Sequence, residues 1–414
     1  MSSDSSGEVR LRWWRREPSL VLVVLVVSAA LQCALLPNSF SGADARMFLR
    51  LVDEQRQPGF WSMPSAFDYN YWAMGYPTFL NGVLTISGGR VWSILVLQVF
   101  LGLVLAVICY LLTWSLGRRV RLVALIVAAF SPGVWWMARN GGYEMLLAFL
   151  LCSAVALTWA PARITWWQRR WVLQASALGA GVLLGLAVLV QSKALIVFPV
   201  LGYLAWRTRR SAFLLQVIGL CAALGPWMIR NALVLGTINP ITTNGRLNAW
   251  IGNNSANLTG GFMEPPPLPP QSHGMVDAVL RFVFTQPEAS LALFGRKAIR
   301  LLEPVYLYFD IPIRAQIVVH AVTIIITVVV VAGFVLYLAG RLWLPSRSLP
   351  DVGPLACIVV AFYLVHLPFI AEGRFMTPVL PITIAVAVAT SFAWIDRMRD
   401  SSGRRSAAHR SGAG

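Results

Sequence analysis

The chain has 414 residues, 57% of them hydrophobic and only 12% charged, which is too little polar surface to clothe a water-soluble exterior. Its formal charge of +17 comes from 34 basic residues scattered between apolar segments, a distribution that marks membrane topology and excludes a nucleic-acid-binding face. The five cysteines, Cys33, Cys109, Cys152, Cys221 and Cys357, sit in or beside apolar runs without C-x-x-C spacing, which argues against a disulfide framework or a zinc site.

The apolar runs are about 17 to 25 residues long, the length of a helix crossing roughly 30 Å of hydrocarbon; a barrel would show shorter alternating segments. The fold class predicted is therefore an all-α polytopic membrane protein with about ten transmembrane helices, at residues 18–36, 91–114, 122–137, 145–160, 172–190, 194–206, 212–229, 315–338, 352–370 and 376–395. The first run follows Arg10, Arg12, Arg15 and Arg16 but lacks a small-residue cleavage site, so it reads as a retained helix. The chain divides into a basic cytoplasmic arm (1–17), one membrane domain (18–395) and a basic tail (396–414) expected to be disordered.

With the amino terminus inside, cytoplasmic segments hold 20 basic residues and the outer segments 14 over more than twice the length. Both termini are then cytoplasmic by the positive-inside rule, and residues 37–90 and 230–314 form two long outer loops. In the first, Met47, Phe48, Leu51 and Val52 recur at helical spacing, predicting a helix on the membrane surface. A second covers 77–86 and breaks at Gly88-Gly89. The other loop carries turn signals at Asn244-Gly245 and Gly260-Gly261, a proline run at 265–270, and two amphipathic stretches at 276–284 and 288–302. Two N-x-S/T sequons, at Asn253 and Asn257, would matter only in a eukaryote. The Arg-rich, Lys-poor usage suits a bacterium with a GC-rich genome.

Ionisable groups inside hydrocarbon cost roughly 2.5 to 3.5 kcal/mol on insertion scales, so their placement is informative. The helix centres are nearly clean, whereas Asp44, Asp68, Arg139, Glu144, Lys193, Arg230, His366, Glu372 and Arg374 gather at the outer ends. The chemistry accordingly belongs on the non-cytoplasmic face. No G-x-G-x-x-G follows a strand and no D-x-D motif occurs, so neither a nucleotide-sugar donor nor a metal is indicated; Gly181 and Gly185 read as close helix packing.

Taken in order, D-A-R-M-F-L (44–49), M-G-Y-P-T-F-L (74–80), Y-E (143–144), S-K-A-L (192–195), G-P-W-M-I-R-N-A-L-V-L-G (225–236), T-N-G-R-L-N-A-W-I-G-N-N (243–254), T-G-G (259–261) and E-G-R-F-M-T-P-V-L-P (372–381) resemble a GT-C superfamily glycosyltransferase of the branch containing protein O-mannosyltransferases and aminoarabinose transferases. That resemblance implies inverting transfer of a sugar, mannose foremost, from a polyprenyl-phosphate donor to an acceptor hydroxyl on a protein, glycan, lipid or secreted small molecule. It implies a multi-pass plasma-membrane enzyme needing no cofactor beyond its lipid-linked co-substrate. Such chemistry needs a carboxylate as general base and cations for the departing phosphate.

By resemblance Asp44 is the base; read from the residues alone, it equally starts a helix as part of a Ser41-x-x-Asp44 capping box. Lys193, Arg374 and Arg230 take the donor-phosphate role, against snorkelling for the first two and an interfacial anchor beside Trp227 for the third. Asp68, Tyr76, Glu144, Arg139 and Glu372 line the site; Asp68 also reads as a solvated loop residue, Glu144 as a partner of Arg139, and Tyr76-Pro77 as shaping the loop, while His366 reads as a packed histidine. Two departures from the branch's pattern are a single Asp at D-A-R where a paired acid is common, and Phe375 where an aromatic hydroxyl is frequent. The competing class is a transporter or flippase, which would carry midplane ionisable sites and repeat halves; neither is visible. A scaffold binding a lipid carrier without turnover is the third reading.

Overall fold

The structure, a computed structural model, describes residues 5–36, 44–60, 73–164, 167–236, 242, 244–305, 313–343 and 350–411, with side chains described from 17 to 399. Among these residues every regular element is helical. In chain order the helices are α1 (Ser5–Ala34), α2 (Ala45–Gln55), α3 (Gly75–Ile86), α4 (Trp92–Leu112), α5 (Arg118–Ala129), α6 (Pro132–Arg139), α7 (Glu144–Trp159) and α8 (Arg170–Val190). They continue with α9 (Phe198–Thr208), α10 (Arg210–Leu235), α11 (Gly245–Gly252), α12 (Met275–Thr285), α13 (Pro287–Arg300), α14 (Ile313–Trp343), α15 (Gly353–Leu364) and α16 (Leu380–Ser411). Two 3-10 segments, Ser192–Val197 and Gly373–Val379, lead into α9 and α16.

Among the described residues six helices are long and apolar enough to cross a membrane, seven if the bent pair α5–α6 is one span, so the chain is a multi-pass membrane protein with fewer full-length spans in those residues than the ten expected. The shortfall has physical causes. At Ser131-Pro132 the expected helix 122–137 breaks and bends by 41°. Proline lacks an amide hydrogen and disfavours helical geometry in the residue before it, and Ser131 is indeed extended (φ −66°, ψ 124°). The expected sixth helix, 194–206, is shared between a 3-10 segment and the 11-residue α9. Helix α15 has 12 residues and α7 has 16.

α7 is the middle of the bundle rather than a lipid-facing rod. Met145, Leu147, Ala148, Leu151, Cys152, Ala154 and Val155 are all buried, packed by α4 and α8. The outer helices show the reverse: α14 turns Ile317, Val318, Ile325, Val328 and Val329 outward, about 60% exposed, and α1 exposes Leu22 and Val23. Apolar surface on the outside and a packed interior is the arrangement of a protein solvated by lipid. α8 and α10 lie against each other so closely that a Cβ on Gly181 would collide with the Gln216 carbonyl, and one on Gly185 would sit 2.6 Å from the Ala223 methyl.

The first outer helix forms as expected, but its apolar face is buried against protein: Phe48, Leu51 and Val52 pack within the main core, beside Tyr76, Leu80 and Leu84 of α3. Gly88 and Gly89 follow α3 with φ of 66° and 82°, ending it as the sequence indicates. The two amphipathic stretches of the other loop are α12 and α13. Asn244-Gly245, expected as a turn, instead opens α11. Gly260, at φ 76°, is a turn. Asn253 and Asn257 are 4% and 5% exposed and hydrogen-bonded to backbone carbonyls, so both sequons serve packing. All five cysteines are free. Helix α16 runs on through the segment expected as a disordered tail, as far as Ser411.

Candidate active site

Asp44 stands at the start of α2, where a capping carboxylate would accept a hydrogen bond from the helix's first amides. It makes no such bond. Its Oδ2 instead lies 3.0 Å from Nη1 of Arg374, a residue 330 positions further along the chain. Arg374 donates through Nε to Glu372 Oε2 at 2.6 Å, and its Nη1 lies 3.7 Å from Glu144 Oε1. One guanidinium thus collects three carboxylates from the starts of α2 and α7 and from the turn before α16. The shortest of these contacts run through Nε and Nη1.

The three acids differ in setting. Asp44 and Glu372 have side chains about a fifth exposed, at 22% each, whereas Glu144 is at 1% and neither of its carboxylate oxygens has a hydrogen-bond donor among the described residues. The Glu144 carboxylate presses against Gly142, where any side chain would collide with it. Asp44 and Glu372 are therefore the two carboxylates open to an incoming group, and Glu144 is the enclosed one.

Aromatic packing fixes these positions. Phe48, one turn into α2, meets the ring of Tyr76 edge-on at 4.9 Å and that of Tyr143 at 6.2 Å. The Tyr76 hydroxyl donates to the Gly141 carbonyl at 3.1 Å, tying α3 to the turn that carries Glu144. Gln191 donates to the Tyr143 hydroxyl at 3.2 Å and so connects the same turn to the 3-10 segment holding Lys193.

Lys193 is half-buried, its Nζ 4.3 Å from the ring centre of Phe369 and 5.5 Å from that of Phe375. The Arg374 guanidinium lies 5.4 Å from the Phe375 ring, so both cations border one aromatic ring. Burial, with the Lys297 ammonium adding repulsion, pushes the Lys193 amine down to about 7. His366 is a packed histidine: its Nδ1 lies 2.7 Å from the Phe362 carbonyl and its ring stacks on Phe375.

The structure therefore brings together Asp44, Glu144, Glu372 and Arg374, with Tyr76 and Lys193 alongside. Arg139 ends α6, five positions before Glu144. Arg230 is placed differently: it donates to the Phe60 carbonyl at 3.2 Å, stacks near Trp227, and lines an apolar cavity of about 560 Å³ between α3, α7, α8 and α10. None of the clustered acids lines that cavity. A second apolar cavity, about 380 Å³, runs between α14, α15 and α16 and reaches Gly373, next to Arg374. Asp68 lies outside the described residues. Tyr143 and Phe369 belong to the site and were missed; Tyr143 was signalled by its place beside Glu144 in Y-E, and Phe369 by nothing in sequence. Among the described residues no group of three or more His, Cys, Asp or Glu could hold a metal ion.

The sequence matches no protein-family model and no curated protein. Solved structures do match it in fold. An archaeal oligosaccharyltransferase, AglB from Archaeoglobus fulgidus in complex with an inhibitory peptide and a dolichol-phosphate, superposes with a TM-score of 0.51 at 13% identity over 95% of this chain and 52% of that one. The apo form of the Archaeoglobus fulgidus oligosaccharyltransferase gives 0.51 at 14% identity over 94% and 52%. The same enzyme tethered to an acceptor peptide gives 0.51 at 14% over 92% and 50%. This chain thus spans about half the length of those structures, and at such identity the likeness is one of fold alone.

Proposed function

We propose that the protein is an inverting glycosyltransferase that moves a sugar, mannose foremost, from a polyprenyl-phosphate carrier to an acceptor hydroxyl at the extracytoplasmic face of a bacterial plasma membrane. The observation that carries this reading is the Asp44–Arg374 pair, 3.0 Å apart and flanked by Glu144 and Glu372: a partly exposed base beside a cation. The fold shared with a lipid-linked sugar transferase supports it. In this proposal both termini are cytoplasmic, and shorter helices such as α7, α9 and α15 complete the crossings toward ten.

Asp44 takes the proton of the acceptor hydroxyl as its oxygen attacks the anomeric carbon from the side opposite the carrier. The bond to the carrier phosphate breaks with its electron pair, and the negative charge that develops on that phosphate is met by Arg374 and by Lys193. The first of those cations is already held rigid by three carboxylates, so little reorganisation is needed during reaction. Arg230 meets the carrier only if the lipid runs into the cavity it lines. Tyr76 shapes the floor under α2. The lipid-linked sugar is the co-substrate, with no metal motif in the sequence to call for a cofactor; the acceptor is a protein, glycan, lipid or small secreted molecule.

The test is reconstitution of the full chain in liposomes carrying polyprenyl-phosphate mannose with labelled sugar. Label appearing in a covalent product distinct from the carrier supports the proposal. Label that crosses the bilayer still attached to its carrier, with no product from any acceptor class, establishes the flippase alternative instead.

A further inference from the structure

The chain contains 32 arginines and only two lysines, and both lysines reach the same turn. Lys193 lies over Phe369. Lys297, on α13, approaches from the outer loop with 0% of its surface exposed. Its Nζ donates to Asn253 Oδ1 at 2.7 Å and to the Leu367 carbonyl at 3.1 Å. Asn253 in turn donates to the Pro368 carbonyl at 2.7 Å. Further along, the Ala371 amide donates to the Gly260 carbonyl at 2.9 Å, and Gly260, in the left-handed region at φ 76°, packs on the Lys297 methylenes, where a side chain would collide. The backbone from Leu367 to Ala371 is thus gripped by the outer loop, and Glu372, Arg374 and Phe375 follow directly.

A fully buried lysine is costly to desolvate, and a methionine would fill much the same volume without that cost. What the lysine adds is a narrow stem ending in an amine that satisfies two converging buried acceptors. Burial pushes Lys297 down to about 7, but a neutral amine still has two hydrogens for those two acceptors, so the grip survives loss of its proton. Resting on the transferase reading above, we infer that Lys297 is a positioning residue: by clamping the Leu367–Pro368 turn it sets Phe369 under Lys193 and aligns Glu372 and Arg374 for the donor phosphate.

The test uses the full-length protein in lipid nanodiscs, as wild type, Lys297→Met and Asn253→Ala, and reads amide hydrogen exchange together with donor kinetics. Removing the amine leaves the Leu367 carbonyl and Asn253 Oδ1 without their donor. Exchange across residues 367–375 should quicken about tenfold, the scale of one lost hydrogen bond, while α12 exchanges as before. Donor KM should rise about tenfold with kcat within about twofold, and acceptor KM should not move. Asn253→Ala, which keeps the lysine, should move the same readouts in the same direction and decides the matter if Lys297→Met does not accumulate. A folded variant with wild-type exchange in this segment, or with a loosened segment and unchanged donor KM, overturns the inference. Absence of transfer from the wild type would end the transferase reading, and the exchange measurement would still pass or fail the clamp.

Discussion

Replacing Arg374 with methionine should destabilise the protein, and replacing Glu144 with glutamine in the same chain should give part of that stability back. The guanidinium is the charged neighbour 3.7 Å from a carboxylate that is 1% exposed and whose oxygens have no hydrogen-bond donor among the described residues. At an effective dielectric of about 20, that separation corresponds to an attraction of about 4 kcal/mol, and removing one partner of a buried pair typically costs about 3 to 5 kcal/mol. Asp44 and Glu372, each 22% exposed, are partly rescued by water and contribute less. Arg374→Met is therefore expected to cost about 3 kcal/mol, and Arg374→Met with Glu144→Gln about 1 to 2 kcal/mol less than that. The assay is reversible unfolding of purified protein in mixed micelles as a double-mutant cycle. Strict additivity of the two substitutions would refute the claim that Arg374 compensates a buried Glu144.

Other predictions follow from the same geometry. Asp44→Asn should lower kcat for transfer by about 10² to 10⁴ while leaving expression and unfolding close to wild type, because the side chain caps nothing and an asparagine oxygen can still accept from Arg374. Lys193, held down to about 7, is a cation below that pH and neutral above it, so kcat/KM for the anionic donor should fall as pH rises through about 7. The arginine variant at that position should lose this alkaline limb, since its charge does not titrate there; a wild-type profile flat from pH 6 to 9 would contradict the assignment. Gly181→Leu should cost about 1 to 3 kcal/mol or more by forcing α8 off α10, whereas Gly225→Ala, with nothing within 4 Å of the added Cβ, should be tolerated. Yields of folded protein on size-exclusion chromatography check the pair.

Much of the fold was legible because apolar runs and charged ends are local signals. The helices α1, α4, α7, α8, α10 and α14 lie within a few residues of where composition puts them, apart from extended ends. Apolarity alone does not separate a helix that crosses lipid from one enclosed by other helices, and this is why the buried, 16-residue α7 read like the rest. The break at Pro132 was readable from the residue type, yet the apolar run on both sides outweighed it. In the site, Asp44, Glu144, Glu372 and Arg374 were each visible as outer-end charges, but their convergence on one guanidinium depends on packing between residues as far as 330 apart. Lys297 falls in the amphipathic stretch 288–302, and nothing in such a stretch says that its amine turns inward to Asn253 and the Leu367 carbonyl.

The central claim is that Asp44 is the base of a sugar transfer. Its most direct test is incubation of membranes containing either the wild-type chain or Asp44→Asn with radiolabelled polyprenyl-phosphate mannose, following label into lipid, protein and soluble fractions. Label reaching a new product with the wild type and lost with the variant, at equal protein levels, is the predicted result. A product formed equally by both would contradict the assignment of Asp44 and direct attention to Glu372 or Glu144 beside it.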